Sequence, residues 1–149
     1  MMVCAEPGAQ LITYALGSCI AVVVYDPAVR LGGLLHFQLP ESKGFEQQSR
    51  DNPYKFGDAG IPAMMERMYK AGAERNRLVV GIFGGASMLH DESVFQIGVR
   101  NARTSKKMLW QGALFLKHED IGGTSNRTVS LDIDTGHIRM KKDGQFVEF

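Results

Sequence analysis

Three features of this chain predict an α/β fold, a single-domain layered sandwich of helices on a mixed or antiparallel β-sheet. Two short runs rich in β-branched and apolar residues, Ile20–Tyr25 and Leu78–Phe83, read as buried strands. Two longer stretches, near 58–71 and 96–111, each end at a glycine, and the first carries a clear helical stripe. Two strand-like runs flank Asp134-Thr135-Gly136, the signature of a hairpin. The length of 149 residues fits one domain, 1–149, and 44% hydrophobic with 22% charged residues fits a chain with its own core.

The elements follow in order. Met1–Ala9 is expected to fray. Residues 10–25 read as a strand whose second half is apolar on both faces. Asp26-Pro27-Ala28-Val29 suits a type I turn, with Asp first and Pro second. Leu31–Leu39 is the return strand. A turn centred on Pro27-Ala28 makes paired positions sum to 55, which sets Cys19 opposite His36. Directly opposed residues have Cβ atoms about 4.5–5.5 Å apart, and a bulge at the turn would shift that register. Glu41–Tyr54 is polar and without period, so an exposed loop beside the site is expected.

Asp58 stands where it can cap a helix running to about Ala71. Ile61, Met64, Met65 and Met68 form its apolar stripe and read as core rather than as a groove. Pro62 must then fall in the first turn. Leu78–Phe83 leads into Gly84-Gly85-Ala86-Ser87-Met88, where glycines permit a tight turn or a close backbone approach. Gln96–Gln111 is the second helix, with Arg100-Asn101 near its start read as structural. Ala113–Lys117 returns as a strand, Gly122-Gly123 is a loop, and Gln145–Phe149 adds an edge strand.

Composition excludes several classes. A net charge of +1, from 17 basic and 16 acidic residues, argues against a dedicated nucleic-acid binder. The basic groups at Arg100–Lys107 and Arg139–Lys142 read as solvated faces. Cys4 and Cys19 are too few for a disulfide scaffold, and His36, His90, His118 and His137 form no close pair, so no metal is expected. No Lys-Ser/Thr pair follows Gly84-Gly85, which argues against a phosphate loop, and no cofactor is expected. No apolar run reaches the ~18 residues needed to span a bilayer, and Met1–Ala9 lacks the pattern of a signal peptide. A cytoplasmic protein with reduced thiols is expected, without membrane insertion.

The chemistry centres on Cys19. Free cysteine usually packs as a small hydrophobe, but this one follows Gly17-Ser18, a turn that can expose it. A nearby imidazolium would lower its thiol pKa. His36 would take the thiol proton and later return one to a leaving group. Thr13, by hydroxyl or carbonyl, would orient the ring, less strongly than an aspartate. Backbone N–H groups of Ser18 and Cys19 can bind an oxyanion, where one such donor contributes about 3 kcal/mol.

The run LGSCIAVVVYD, then GGLLHFQLP, FGDAGIPAMMERM, FGGASM, IGVRN and DIGGTSNRTVSLDIDTGHIRMKK, resembles the chemoreceptor glutamine deamidase family, CheD, over about residues 12–141. The resemblance implies hydrolysis of glutamine side-chain amides, and in some cases of glutamate methyl esters, on the cytoplasmic helical region of bacterial chemoreceptors. It implies a fold like that of the cytotoxic necrotizing factor deamidases, with Cys19 as nucleophile, His36 as base and Thr13 as third member. Phe37, Gly84, Gly85 and Ala86 then become candidates for substrate or partner contact. The family also pairs in some bacteria with a CheC-type phosphatase that covers the substrate-facing surface. The alternative reading is a non-catalytic regulatory partner of such a phosphatase. A thiol redox protein would need Cys4 beside Cys19, which their spacing does not support.

Overall fold

A computed structural model describes residues 1–87 and 96–149, so the expected roles of Met88 and His90 lie outside the described residues. Strands β1 (Met2–Cys4), β2 (Gln10–Leu16), β3 (Ile20–Asp26), β4 (Leu31–Phe37), β5 (Val79–Gly84), β6 (Leu116–Ile121), β7 (Arg127–Asp132), β8 (Ile138–Lys142) and β9 (Gln145–Glu148) form two sheets. One runs β1-β4-β3-β5-β6 and the other β2-β7-β8-β9. Among these strands β5 and β6 pair in parallel and the other pairs are antiparallel. The predicted α/β class holds, with the expected one sheet resolved into two.

The sequence explains this division. In β2 only Leu11, Thr13 and Leu16 turn inward, so it needs one covered face, whereas every residue of β3 is buried. The stretch 10–25 is therefore not one strand: it breaks at Gly17–Cys19, and its halves join different sheets. Helices α2 (Gly57–Lys70) and α3 (Ile97–Gln111) cover one face of the central sheet. There Val22, Val24, Leu35 and Phe37 meet Ile61, Met64, Met68 and Leu109. On the other face Ala21, Val23, Leu34 and Phe83 meet Val129, Leu131, Ile138 and Met140 of the second sheet. The methionine stripe is core, as its period predicts.

Local expectations change at several points. The amino-terminal segment is not frayed: Met2–Cys4 pairs with the edge of β4. The turn after β3 spans residues 27–30, with Arg30 at φ 48° and Asp26 paired to Leu31, so partners sum to 57 rather than 55. The segment 41–54 is exposed but not a plain loop, because α1 (Glu46–Asp51) forms within it. Asp58 does not cap α2; Phe56 holds that position, and the Asp58 carboxylate instead accepts from the Ser42 N–H and hydroxyl at 2.9 and 3.0 Å. Pro62 sits in the second turn, on the solvent side. Gly72, at φ 99°, ends α2 in a Schellman motif: Ala73 N–H bonds Met68 O, and Gly72 N–H bonds Tyr69 O, both at 3.0 Å. The same motif closes α3 with Ala113 in the left-handed position, φ 52°. That turn consumes residues 113–115 and delays β6 to Leu116.

Candidate active site

Cys19 lies on the three-residue turn that carries the chain from one sheet to the other. All three carbonyls of that turn are tied into the protein. Gly17 O accepts from Ala86 N–H at 2.9 Å, Ser18 O from Asn101 Nδ2 at 2.9 Å, and Cys19 O from Gly85 N–H at 2.8 Å. The glycines that the sequence marked for close backbone approach serve this clasp. A Cβ on Gly84 would collide with the Cys19 carbonyl oxygen, and its φ of 115° also demands glycine. Gly85 packs the same way on Gly98 of α3, where an added Cβ would come within 2.9 Å of Gly98 O. Gly84, Gly85 and Ala86 thus hold the cysteine turn with their backbones. With its carbonyls engaged, the turn leaves the N–H groups of Ser18 and Cys19 without a carbonyl partner among the described residues.

His36 faces Ala21, not Cys19, because of the two-residue register shift. The expected direct opposition is therefore corrected. The last ladder pair is Ile20 with Phe37, and Cys19 stands one step beyond it. Since the shift is even, the faces are preserved. Cys19, Ala21 and His36 all belong to the side between the two sheets, and Cys19 packs against the apolar cluster there. Cys19 and His36 are diagonal neighbours, a relation that spans about 7–8 Å and that long side chains bridge.

The second sheet supplies the third residue. Thr13 is buried on the inner face of β2, and its Oγ1 lies 2.8 Å from His36 Nδ1. Immediately after it, Tyr14-Ala15 form a bulge, with Ala15 at φ 55°, that interrupts the pairing with β7 before it resumes at Leu16 with Arg127, just ahead of the Cys19 turn. The other ring nitrogen, His36 Nε2, is buried without a hydrogen-bond partner among the described residues.

Burial pushes the Cys19 thiol above its ordinary range, partly offset by its own N–H, and pulls His36 below its own. Both shifts favour the neutral thiol and neutral imidazole over the thiolate–imidazolium pair expected from sequence. The thiolate fraction of a raised thiol grows about tenfold per pH unit until its pKa is reached. Iodoacetamide labelling of Cys19 should thus keep accelerating past pH 9. A rate plateau between about pH 6 and 8 would contradict the neutral pair.

Phe37 is fully buried on the helix side, within 3 Å of where a Gly57 Cβ would stand. It packs beneath the site and does not face a substrate, so its expected contact role is corrected. Two further residues brace the site: Asn101, read from sequence as structural together with Arg100, which is in fact exposed, and Arg127, which sequence reasoning passed over. Asn101, fully buried on α3, donates through Nδ2 to Ser18 O and to Gln38 O, both at 2.9 Å. Arg127, also fully buried, bonds both Asp120 Oδ1 and Gly122 O, the latter at 2.8 Å. Gly122 N–H in turn bonds Gly84 O at 2.9 Å, which links the ion pair to the clasp around Cys19. Both residues sit in motifs visible in the sequence, Ile97-Gly98-Val99-Arg100-Asn101 and Ser125-Asn126-Arg127, but residue order does not show which carbonyls they reach. Cys4 and Cys19 are both free thiols. Among the described residues no group of three His, Cys, Asp or Glu side chains is placed to hold a metal ion, and no helix is long and apolar enough to cross a membrane.

Comparison with known proteins places these residues in context. A family model described as CheD chemotactic sensory transduction matches residues 38–142. A probable chemoreceptor glutamine deamidase CheD of Solibacter usitatus is 44% identical over 139 residues, 93% of this chain and 82% of that protein. A probable chemoreceptor glutamine deamidase CheD 1 of Syntrophus aciditrophicus is also 44% identical, over 92% of this chain and 86% of its own. The similarity reaches a probable chemoreceptor glutamine deamidase CheD of the archaeon Pyrococcus abyssi, 40% identical over 91% of this chain and 85% of that one.

Proposed function

The chain belongs to the CheD family, and from that premise we propose that it is a chemoreceptor glutamine deamidase whose catalytic set is Cys19, His36 and Thr13. The observation that carries the residue assignment is the 2.8 Å contact from Thr13 Oγ1 to His36 Nδ1, with His36 Nε2 unpartnered on the face that Cys19 shares. The productive tautomer has Nδ1–H donating to the threonine oxygen. That leaves the Nε2 lone pair to take a proton.

Each step then has a group to perform it. The Cys19 sulfur attacks the glutamine carboxamide carbon as its proton passes to His36 Nε2. The N–H groups of Ser18 and Cys19 receive the oxyanion. The imidazolium returns its proton to the departing ammonia, leaving a thioester. Water, deprotonated by the same nitrogen, hydrolyses that thioester to glutamate and frees the thiol.

We read residues 1–149 as one deamidase domain, since the first and last strands belong to sheets that share a core. The substrate is the helical cytoplasmic part of a chemoreceptor, which places the protein in the cytoplasm. Glutamate methyl esters, whose carbonyl meets the same nucleophile, are a second substrate. A CheC-type phosphatase fits as a partner that covers the Cys19 surface.

Intact-mass analysis of a receptor cytoplasmic fragment tests the proposal. Each hydrolysed amide adds about 1 Da. Untreated protein should produce the gain, and protein alkylated at Cys19 should not. An unchanged receptor mass with folded, unmodified protein would refute the assignment.

A further inference from the structure

The β3–β4 ladder stops one residue short of the nucleophile. Its last pair is Ile20 with Phe37. Cys19 O turns to Gly85 N–H on the other neighbour, so the next hydrogen-bonded rung would join Ser18 to Leu39, and it is not made: Leu39 N–H turns away to Lys55 O at 3.0 Å, and Ser18 O accepts from Asn101 instead. Here the strand bearing the thiol and the strand bearing the histidine would be free to part.

One side chain spans the gap. Asn101 Nδ2 spends one hydrogen on Ser18 O and the other on Gln38 O, both at 2.9 Å. We propose that Asn101 is a positioning residue for the reaction, a side-chain rung that replaces the missing backbone rung and sets the spacing between Cys19 and His36. The amide is suited to this role chemically. It carries two donors on one nitrogen and no charge, where serine has one donor and aspartate none. The site is also over-specified for simple packing. Asn101 is fully buried on a helix face otherwise closed by Gly98, Thr104, Ser105 and Leu109, and its Oδ1 has no partner among the described residues. A fold that needed only volume there would bear no unsatisfied acceptor. Gly98 of α3 also packs directly against Gly85, so the helix that carries Asn101 is seated on the clasp of the Cys19 turn.

The inference deepens the deamidase reading and rests on it for its kinetic arm alone. Asn101→Ala should keep the fold, lower kcat on a receptor fragment by roughly 100-fold and leave KM within about threefold. The second arm needs no receptor. Iodoacetamide labelling of Cys19 across pH should shift its midpoint down toward the ordinary thiol range, because a released turn rehydrates the sulfur. Asn101→Ser, with one donor, should fall between the two, and it carries the same comparison should the alanine variant fail to fold. A lower melting temperature with kcat and the labelling profile both within twofold of wild type would overturn the proposal and leave Asn101 a packing residue. Absence of deamidation by the wild type would count against the reaction assigned above, while the labelling arm would still decide Asn101.

Discussion

Cys19→Ala is expected to abolish receptor deamidation, with a loss of roughly 10⁴-fold or more, and His36→Ala to lose nearly as much. Residues of one catalytic set act as a unit, so removing either strands the other. Without the sulfur, His36 Nε2 has no proton to accept. Without the imidazole, the thiol stays protonated, since burial already holds its pKa high. The third member has a smaller effect. Thr13→Val keeps the buried shape but removes the oxygen 2.8 Å from Nδ1. The ring then loses its tautomer bias without losing a countercharge, because threonine carries none, and a drop of roughly 10–100-fold follows. Adding Thr13→Val to Cys19→Ala should change nothing further. Rates of ammonia release by the three single variants and the double variant check this. A Cys19→Ala protein within tenfold of wild type, or a double variant clearly slower than its cysteine parent, would remove the set.

Much of that set was legible from residue order, for a definite reason. Strand parity survives an even shift, so a hairpin misregistered by two residues still put Cys19 and His36 on one face. Arg30 in a left-handed conformation made the error, by stretching a two-residue turn to four. Thr13 was legible only as a candidate. Its approach to His36 depends on β2 crossing to the second sheet, a tertiary event that local periodicity does not encode. Asn101 was legible as structural but not as a brace of the Cys19 turn, and Arg127 was missed because it is a polar residue in a polar run. Their burial comes from what packs over them, the Cys19 turn in one case and the 120–125 loop in the other. The glycine clasp could be anticipated as a close approach, but not that Cys19 O was the atom approached. Family resemblance closed the rest of the gap, and it reached the reaction, which no spacing argument specifies.

Asp26→Ala should be the most destabilising single change outside the site. Asp26 was chosen by sequence as the first residue of a turn, and it does bond Ala28 N–H at 3.0 Å. Its larger role is at the far end of the molecule's central strand pair. The carboxylate is fully buried and accepts from Glu74 N–H at 2.9 Å and from Arg77 Nε and Nη2 at 3.0 and 2.8 Å. It thereby ties the β3 end to the segment between α2 and β5. Burial alone would raise its pKa, but the Arg77 guanidinium and the two backbone donors outweigh it, and the net shift is downward. Breaking such a pair from one side costs about 3–5 kcal/mol in general. Arg77 is about a quarter exposed and can turn to water, so the lower end, about 3 kcal/mol, applies. For a chain of this size that lowers the melting temperature by roughly 10 °C. The sign of the pH effect follows from the depressed pKa. The contribution is complete above the unfolded carboxyl value of about 3.9 and is lost as pH falls through the lower folded value. The gap between wild type and Asp26→Ala in thermal melts should accordingly be wide at pH 7 and narrow as pH falls below the unfolded carboxyl value. A gap that stays constant across that range would mean that the carboxylate charge contributes nothing and that Asp26 matters only for its shape.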